Sequence, residues 1–159
     1  MKFYRYILAV VLASTFVFSA HAADWSKVRI GVEGAYPPFS EMTPDGELIG
    51  FDIDIANALC EAIGAECELV PQDWDGIIPA LLAKKYDAIV ASMSITEERK
   101  EKVAFTNKYY QTPAKFAKPK SMDVEVTAEG LAGKTVGVQR ATTHDNFITA
   151  EFPDAEIKR

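Results

Sequence analysis

Three short, mainly apolar runs mark the first half of the chain. They span residues 28–32, 67–70 and 87–91. Apolar runs of this length, separated by polar and turn-forming residues, are typical of strands that are buried in a sheet. We therefore predict three strands at these positions.

The stretches between these runs have the periodicity of helices. Residues 52–63 carry apolar side chains four positions apart, and Gly64 is suited to end that helix. Residues 75–84 are predicted to form a second helix, with Asp75 as its cap and Pro79 in its first turns. Strands that alternate with helices in this way predict an α/β fold, with a parallel sheet covered by helices on both faces.

Ligands of parallel sheets bind beyond the carboxyl ends of the strands. The third strand runs there into a new helix, in which Ser94 and Glu97 have the S-x-x-E spacing of a capping box and Arg99 lies in the first turns. The first backbone N–H groups of a helix lack partners, so we predict an anion site at which Arg99 grips a carboxylate. The alternative is a solvated arginine on a helix surface. Three loops are predicted at this edge: residues 33–39, 72–74 and 92–94.

The pattern changes after residue 113. A basic, proline-containing stretch at 114–120 is interpreted as a connector between a first lobe at 23–113 and a second unit at 121–159. The second unit is predicted to contain a strand at 135–138, a helix at 142–151 and a strand at 155–158. At about 40 residues it is near the lower size limit of an independent domain, so we expect the chain to be truncated within it.

The first 22 residues have the features of a cleaved secretory signal peptide. Lys2 and Arg5 form a basic start, residues 7–18 are apolar, and Ala20-His21-Ala22 is a small-x-small cleavage site. An uncleaved membrane anchor is the alternative, although the apolar stretch is short for a membrane span. We therefore predict an exported protein that is not embedded in the membrane.

Composition and charge narrow the classes of partner. The chain is 48% hydrophobic and 25% charged, which is ordinary for a globular protein. Loss of Lys2 and Arg5 with the signal peptide lowers the formal net charge from −6 to −8. Because the exported chain is acidic and has no basic stripe, nucleic acid is excluded as a partner.

Cys60 and Cys67 are the only cysteines, with six residues between them. Export to an oxidising compartment favours a disulfide that ties the end of the first helix to the start of the next strand. Two separate buried thiols are the alternative. No metal or other cofactor is predicted, because the exported chain offers a single histidine, His144, and no C-x-x-C pair.

A series of short motifs resembles one family, the periplasmic polar amino-acid-binding proteins of ABC importers (solute-binding protein family 3). Within it the chain is most similar to binders of lysine, arginine, ornithine and histidine, which carry a cysteine pair at this spacing. The motifs are Arg29-Ile30-Gly31, Tyr36-Pro37-Pro38-Phe39, Gly50-Phe51-Asp52-Ile53-Asp54, Trp74-Asp75-Gly76-Ile77-Ile78-Pro79-Ala80-Leu81, Lys84 to Asp87, and Ser94-Ile95-Thr96 with Arg99.

The resemblance implies the two-lobed periplasmic-binding-protein fold of type II, in which a hinge closes the lobes on one amino acid. Lobe 1 would be largely present here and lobe 2 incomplete. By position, Arg99 would hold the α-carboxylate of the ligand with the backbone N–H groups of Ser94 and Thr143. Ser92 would help receive the α-ammonium through its carbonyl. The acidic residue that family members supply from the second lobe would lie beyond Arg159.

The resemblance also assigns the side-chain end of the ligand. Tyr36 and Trp74 would sandwich its stem, unless they are ordinary core or surface aromatics. Glu33 would bind a cationic group, unless it is a solvated loop carboxylate. Ala91 stands where some binders of cationic ligands carry serine. Weaker expectations are Thr142 as a helix cap that also contacts the ligand, and Gln139 and His144 at the rim.

The function implied is a periplasmic receptor without catalysis. It would capture a basic amino acid, or an opine-like guanidino compound, and deliver it as a monomer to an ABC permease and its ATPase. Two alternatives share the scaffold. One is an exported cyclohexadienyl dehydratase acting on prephenate or arogenate, with Glu33 or His144 as general acid. The other is the ligand-sensing domain of a membrane receptor.

Overall fold

Strand β1 (Lys27–Val32) lies at the centre of a three-stranded parallel sheet, between a strand at Glu66–Pro71 and a strand at Ala88–Ile89. The computed structural model describes residues 25–159, so the predicted signal peptide lies outside the described residues. The other strands of the described chain are β2 Ala35–Tyr36, β3 Ser40–Met42, β4 Leu48–Ile49, β5 Glu66–Pro71, β6 Ala88–Ile89, β7 Thr135–Gly137 and β8 Glu156–Lys158. The helices are α1 Phe51–Ile63, α2 Ile77–Leu82, α3 Glu97–Lys100, α4 Ala128–Leu131 and α5 Thr143–Glu151.

Helices cover both faces of this sheet, as the apolar pattern predicts. Val28, Ile30 and Val32 of β1 share one face and pack with buried residues of α1. On the other face Tyr86 packs with α2, and it lies so close to Gly31 that a Cβ there would be 2.5 Å from the tyrosine ring. The predicted α/β fold is therefore confirmed.

The second helix differs from the prediction at its start. A 3₁₀ turn at Trp74–Gly76 precedes α2, and Asp75 does not cap it. The Asp75 carboxylate instead forms an ion pair with Arg140 at 2.8 Å, because it faces the second unit. The predicted cap at Asp75 is therefore wrong.

The disulfide prediction is confirmed. Cys60 near the end of α1 and Cys67 in β5 are bridged, and their Cα atoms lie 6.0 Å apart. Gly64 ends α1 between them in the left-handed region at φ 67°, which glycine adopts at little cost. The bridge lies at the amino end of β5, which is the end opposite to the predicted ligand loops.

Strands β2, β3 and β4 form a small antiparallel sheet, in which β2 lies within the loop predicted at 33–39 and no element was predicted for β3 and β4. Strands of two or three residues are too short to produce an alternating pattern. Gly50 links this sheet to α1 at φ 121°, where a Cβ would be 2.5 Å from the Phe39 carbonyl oxygen. The N–H of Asp52 donates to that carbonyl at 2.8 Å, so the loop before β3 is fixed to the start of α1.

The second unit has its own small core around Leu131, Ile148 and Phe152. Its strands β7 and β8 lie where strands are predicted, and they pair in parallel, whereas α4 was not predicted. The connector contains no helix or strand, and its Phe116 ring packs edge-on against Phe152 at 5.8 Å. The boundaries at 113/114 and 120/121 stay predictions. No helix within residues 25–159 is long and apolar enough to cross a membrane.

Candidate ligand-binding site

A cavity of about 70 Å³ lies between the first unit, which runs from β1 to α3, and the second unit, which runs from α4 to β8. All eleven predicted site residues line it: Glu33, Tyr36, Trp74, Ala91, Ser92, Ser94 and Arg99 from the first unit, and Gln139, Thr142, Thr143 and His144 from the second. The structure thus brings the whole predicted set together. Their roles in ligand binding stay predictions.

The sheet explains why the first-unit residues meet. Glu33 follows β1 directly, Trp74 lies three residues after β5, and Ser92 lies three residues after β6. The three strands are parallel, so their carboxyl ends share one edge. The loops predicted at that edge are therefore confirmed in position.

A larger groove of about 650 Å³ runs beside β6, between residues 87–94 and 102–112. It shares Ala91, Ser92 and Ser94 with the smaller cavity but includes neither Glu33 nor Arg99. We take the smaller cavity as the candidate site, because it is lined by all eleven predicted site residues, among them both Arg99 and Glu33.

The helix that carries Arg99 begins later than predicted. Thr96, and not Ser94, is its N-cap, and the Thr96 hydroxyl accepts a hydrogen bond from the Arg99 backbone N–H at 3.2 Å. The predicted capping box of Ser94 and Glu97 is therefore wrong. Thr96 has the extended backbone typical of a cap and stands three residues before the amide that it accepts. The Ser94 carbonyl instead accepts from the Arg99 guanidinium at 2.9 Å.

The guanidinium of Arg99 faces both units. One Nη donates to the Ser94 carbonyl and the other to the Ala141 carbonyl of the second unit at 3.1 Å. Its central carbon lies 5.3 Å from the centre of the Trp74 ring. The Trp74 indole N–H donates to the same Ala141 carbonyl at 3.0 Å. A guanidinium has five N–H donors, so further donors of Arg99 remain for a ligand.

Arg99 differs from the other arginines of the described chain in having no carboxylate partner. Arg29 pairs with Asp87, Arg140 with Asp75 and Arg159 with Asp145, each at 2.8 Å. Among residues 25–159 Arg99 forms no such ion pair, although it is half-buried, and desolvation lowers its pKa. A partly buried charge without a counter-charge is costly, so this corner of the cavity is suited to an anion.

Glu33 supplies a negative charge to the same cavity. Its carboxylate is half-buried and accepts a hydrogen bond from the Gln139 side-chain amide. Burial raises the pKa of Glu33, the bond from Gln139 lowers it, and the nearby carboxylates Asp52 and Asp73 raise it further. The cavity therefore has a cationic group and an anionic group, as a zwitterionic ligand requires.

The two predicted aromatic walls are present but are held differently. Tyr36 is 40% exposed and stacks on Phe39 with ring centres 5.2 Å apart, and Phe39 stacks in turn on Tyr110 at 5.1 Å. Trp74 is held by Arg99 and by its bond to Ala141. Both rings line the cavity, and Trp74 also packs against the buried cluster of Ile77, Ala80, Tyr86 and Ala91, so their role as walls for a ligand stays a prediction.

Asp52 and Tyr109 support the site residue Ser92, and the sequence analysis did not predict this role for either of them. The Ser92 hydroxyl donates to the buried Asp52 carboxylate at 2.6 Å, and the Ser92 backbone N–H donates to the Tyr109 hydroxyl at 2.9 Å. The Tyr109 hydroxyl also donates to Asp52, at 2.8 Å. The one signal in the sequence was Asp52, an acidic residue in the first turn of the apolar helix α1. That position did not identify Ser92 and Tyr109 as its hydrogen-bond partners.

The second-unit wall is neutral and is organised by a helix cap. The Thr142 hydroxyl accepts from the Asp145 N–H at 3.1 Å and donates to the Gln139 carbonyl at 2.8 Å, which confirms Thr142 as the cap of α5. Thr143 begins α5, and His144 is exposed at the rim. Within the described residues no group of three or more His, Cys, Asp or Glu side chains is placed to hold a metal.

The family model of the bacterial extracellular solute-binding proteins, family 3, matches residues 28–151. The chain belongs to this family. The predicted family and its two-lobed fold are therefore confirmed.

Named family members are similar over most of this chain. It is 48% identical to an L-arginine-binding protein of Pseudomonas aeruginosa, over 96% of this chain and 58% of the relative. It is 43% identical to a histidine-binding periplasmic protein of Salmonella typhimurium, over 92% of this chain and 56% of the relative. The chain thus spans a little over half the length of these relatives. A solved ancestral arginine-binding protein bound to arginine superposes with a TM-score of 0.75 at 37% identity, over 84% of this chain and 60% of that one.

Proposed function

We propose that the full-length protein is an exported receptor that binds a cationic amino acid between its two lobes and delivers it to an ABC permease and its ATPase. We further propose that the signal peptide is cleaved, that the receptor works in the periplasm as a monomer, and that it performs no chemical step. The observation that carries this proposal is Arg99, a half-buried guanidinium without a carboxylate partner in the described chain, in the same cavity as Glu33.

The charges of the site favour a ligand with a net positive charge. Arg99 contributes one positive charge, whereas Glu33 and the neighbouring buried Asp52 contribute one negative charge each when ionised. A ligand with one carboxylate, one ammonium and a cationic side chain would balance them. Arginine, lysine, ornithine and histidinium have this pattern, and the relatives are named as arginine- and histidine-binding proteins.

The assignment of ligand groups follows from position. Arg99 would bind the α-carboxylate with the N–H groups of Ser94 and Thr143, and Ser92 would receive the α-ammonium. Tyr36 and Trp74 would flank the side chain of the ligand. Their flat faces pack well against an aliphatic stem and also attract a terminal cation. Glu33 would bind that cation.

Isothermal titration of the full-length protein with the twenty amino acids tests the proposal, together with mass spectrometry of any molecule that copurifies. We expect submicromolar binding of at least one cationic amino acid and much weaker binding of neutral and acidic ones. Turnover of prephenate or arogenate, with no amino acid bound, would contradict the proposal and favour the dehydratase.

A further inference from the structure

The contacts of Ser92 define which groups it can offer to the cavity. Its hydroxyl hydrogen is directed to Asp52 at 2.6 Å, and its backbone N–H is directed to the Tyr109 hydroxyl at 2.9 Å. Both of its donors are therefore used away from the cavity. Ser92 lines that cavity with only acceptors left to give: its carbonyl oxygen and the lone pairs of its hydroxyl.

Asp52 sets the direction of these bonds. Its side chain is completely buried, and an ionised carboxylate can only accept, so both Ser92 and Tyr109 must donate to it. The Tyr109 hydroxyl donates its one hydrogen to Asp52 and is then free to accept from the Ser92 N–H. The two bonds also hold Ser92 in the left-handed region at φ 51°, which a serine seldom adopts without support.

The position of Asp52 is itself fixed by the backbone. Asp52 lies in the first turn of α1, and its N–H donates to the Phe39 carbonyl at 2.8 Å. No described cation pairs with its carboxylate, so its negative charge lies one hydrogen bond behind Ser92 without a neutralising partner in residues 25–159. Such a charge strengthens the attraction of the Ser92 acceptors for a cation.

We propose that Asp52 and Tyr109 are positioning residues that make Ser92 an acceptor-only contact for the α-ammonium of the ligand. This inference rests on the proposed function and adds residues that would not touch the ligand. The alternative role of Asp52 is purely structural, in which it only holds α1 to the loop after β6. A structural link would affect every ligand alike, whereas the proposed role depends on the ammonium.

Asp52→Asn keeps the shape of the side chain but replaces one acceptor oxygen with an N–H₂ donor. The hydroxyl of either Ser92 or Tyr109 then has to accept a hydrogen bond from residue 52 instead of donating one. Asp54→Asn is the matched control, because Asp54 lies in the same first turn and is exposed. The two probes are L-arginine and 5-guanidinopentanoate, which is arginine without its α-ammonium. Competition against radiolabelled L-arginine measures both affinities into the millimolar range.

We expect Asp52→Asn to weaken L-arginine at least tenfold and 5-guanidinopentanoate less than twofold, with no change for Asp54→Asn. Tyr109→Phe should act in the same direction with a smaller effect. An equal loss for both probes, or no loss for L-arginine, would overturn the inference while leaving the receptor function intact. If the wild-type protein binds no amino acid, the proposed function itself fails.

A second measurement uses L-arginine alone. If Asp52 acts through the Ser92 hydroxyl, the double variant Asp52→Asn/Ser92→Ala should have about the same affinity for L-arginine as whichever single variant has the lower affinity. Additive losses would contradict the inference. Thermal unfolding of each variant monitors the fold, so that a loss of affinity caused by unfolding is separated from the loss of an ammonium contact.

Discussion

The two walls of the cavity are built from different chemistry. The first-unit wall carries charges that are partly desolvated, Arg99 and Glu33, and is supported by the buried Asp52. The second-unit wall offers neutral groups around the capped start of α5. We propose that the first-unit wall selects the ligand by charge and that the second-unit residues around α5 cover it. The acidic residue that the resemblance implies for the second lobe would lie beyond Arg159 and would add a charge to that wall.

The contacts between the walls agree with this division. The Ala141 carbonyl accepts from both Trp74 and Arg99, Gln139 donates to Glu33, and Arg140 pairs with Asp75 at the exposed rim. Each of these contacts joins the first unit to a group of the second unit that is either uncharged, as in Ala141 and Gln139, or exposed, as in Arg140. We therefore expect changes in the first wall to alter ligand choice and changes in the second to shift all ligands together.

The largest effect should come from Arg99→Ala. Loss of the guanidinium leaves the ligand carboxylate without its counter-charge, so we expect affinity for every amino acid to fall at least 100-fold, or about 3 kcal/mol. Titration calorimetry measures this. Arg140→Ala is the control at the exposed rim of the second unit, since its ion pair with Asp75 contributes only about 0–1 kcal/mol. Equal losses for the two variants would remove the distinction between the walls.

Removal of the disulfide should separate stability from binding within the first unit. A Cys60→Ala/Cys67→Ala variant is expected to lose roughly 2–3 kcal/mol of unfolding free energy, because the bridge restricts a short loop of the unfolded chain. Its affinity for L-arginine at 25 °C should stay within twofold, since the bridge lies at the opposite end of the sheet. Denaturant unfolding and calorimetry measure the two quantities. A large loss of affinity would mean that the wall depends on this end of the sheet.

Glu33→Gln should change ligand choice. We expect cationic amino acids to weaken by about 1–3 kcal/mol, because a charge-assisted hydrogen bond becomes a neutral one, while L-glutamine is little affected. A panel of calorimetric titrations measures the ranking. An unchanged ranking of ligands would mean that Glu33 does not recognise the cation.

The pH profile sharpens the Glu33 result. Burial raises the pKa of Glu33, so affinity for L-arginine should decline as pH falls and should begin to do so above the pH at which an exposed glutamate protonates. The neighbouring carboxylates Asp52 and Asp73 favour protonation in the same direction. In Glu33→Gln this part of the decline should be absent.

The smallest effect is expected from Thr142→Ala on the second wall. Loss of the cap of α5 should cost about 1 kcal/mol of stability and weaken all amino acids by a similar, small factor. Thr149→Ala, in the same helix but away from the cavity, is the control for a general loss of stability. A change in ligand ranking in Thr142→Ala would assign selection to the second wall as well.

Much of this arrangement follows from patterns that are local in sequence. The parallel strands, helix α1 with its glycine end and the Thr142 cap are set by residues within a few positions of each other. The predicted cap at Ser94 was wrong because the S-x-x-E spacing is only compatible with a helix start, whereas the extended backbone at Thr96 places the start of the helix at Glu97. Strands β2 to β4 are too short for any periodicity.

The support of Ser92 could not be predicted for a different reason. Asp52 and Tyr109 are 57 positions apart, and they meet Ser92 only when α1, the loop after β6 and the segment beyond α3 are packed together. Hydrogen-bond direction depends on burial and on which partner is ionised. The sequence contains the three residues but not their geometry.

The central claim is that Arg99 binds the carboxylate of the ligand. The most direct test compares L-arginine with agmatine, which lacks the carboxylate, in the wild-type protein and in Arg99→Ala. We predict that Arg99→Ala lowers the affinity for L-arginine at least 100-fold and leaves that for agmatine unchanged or improved. A similar loss for both ligands would contradict the claim, because Arg99 would then act on a part that the two molecules share.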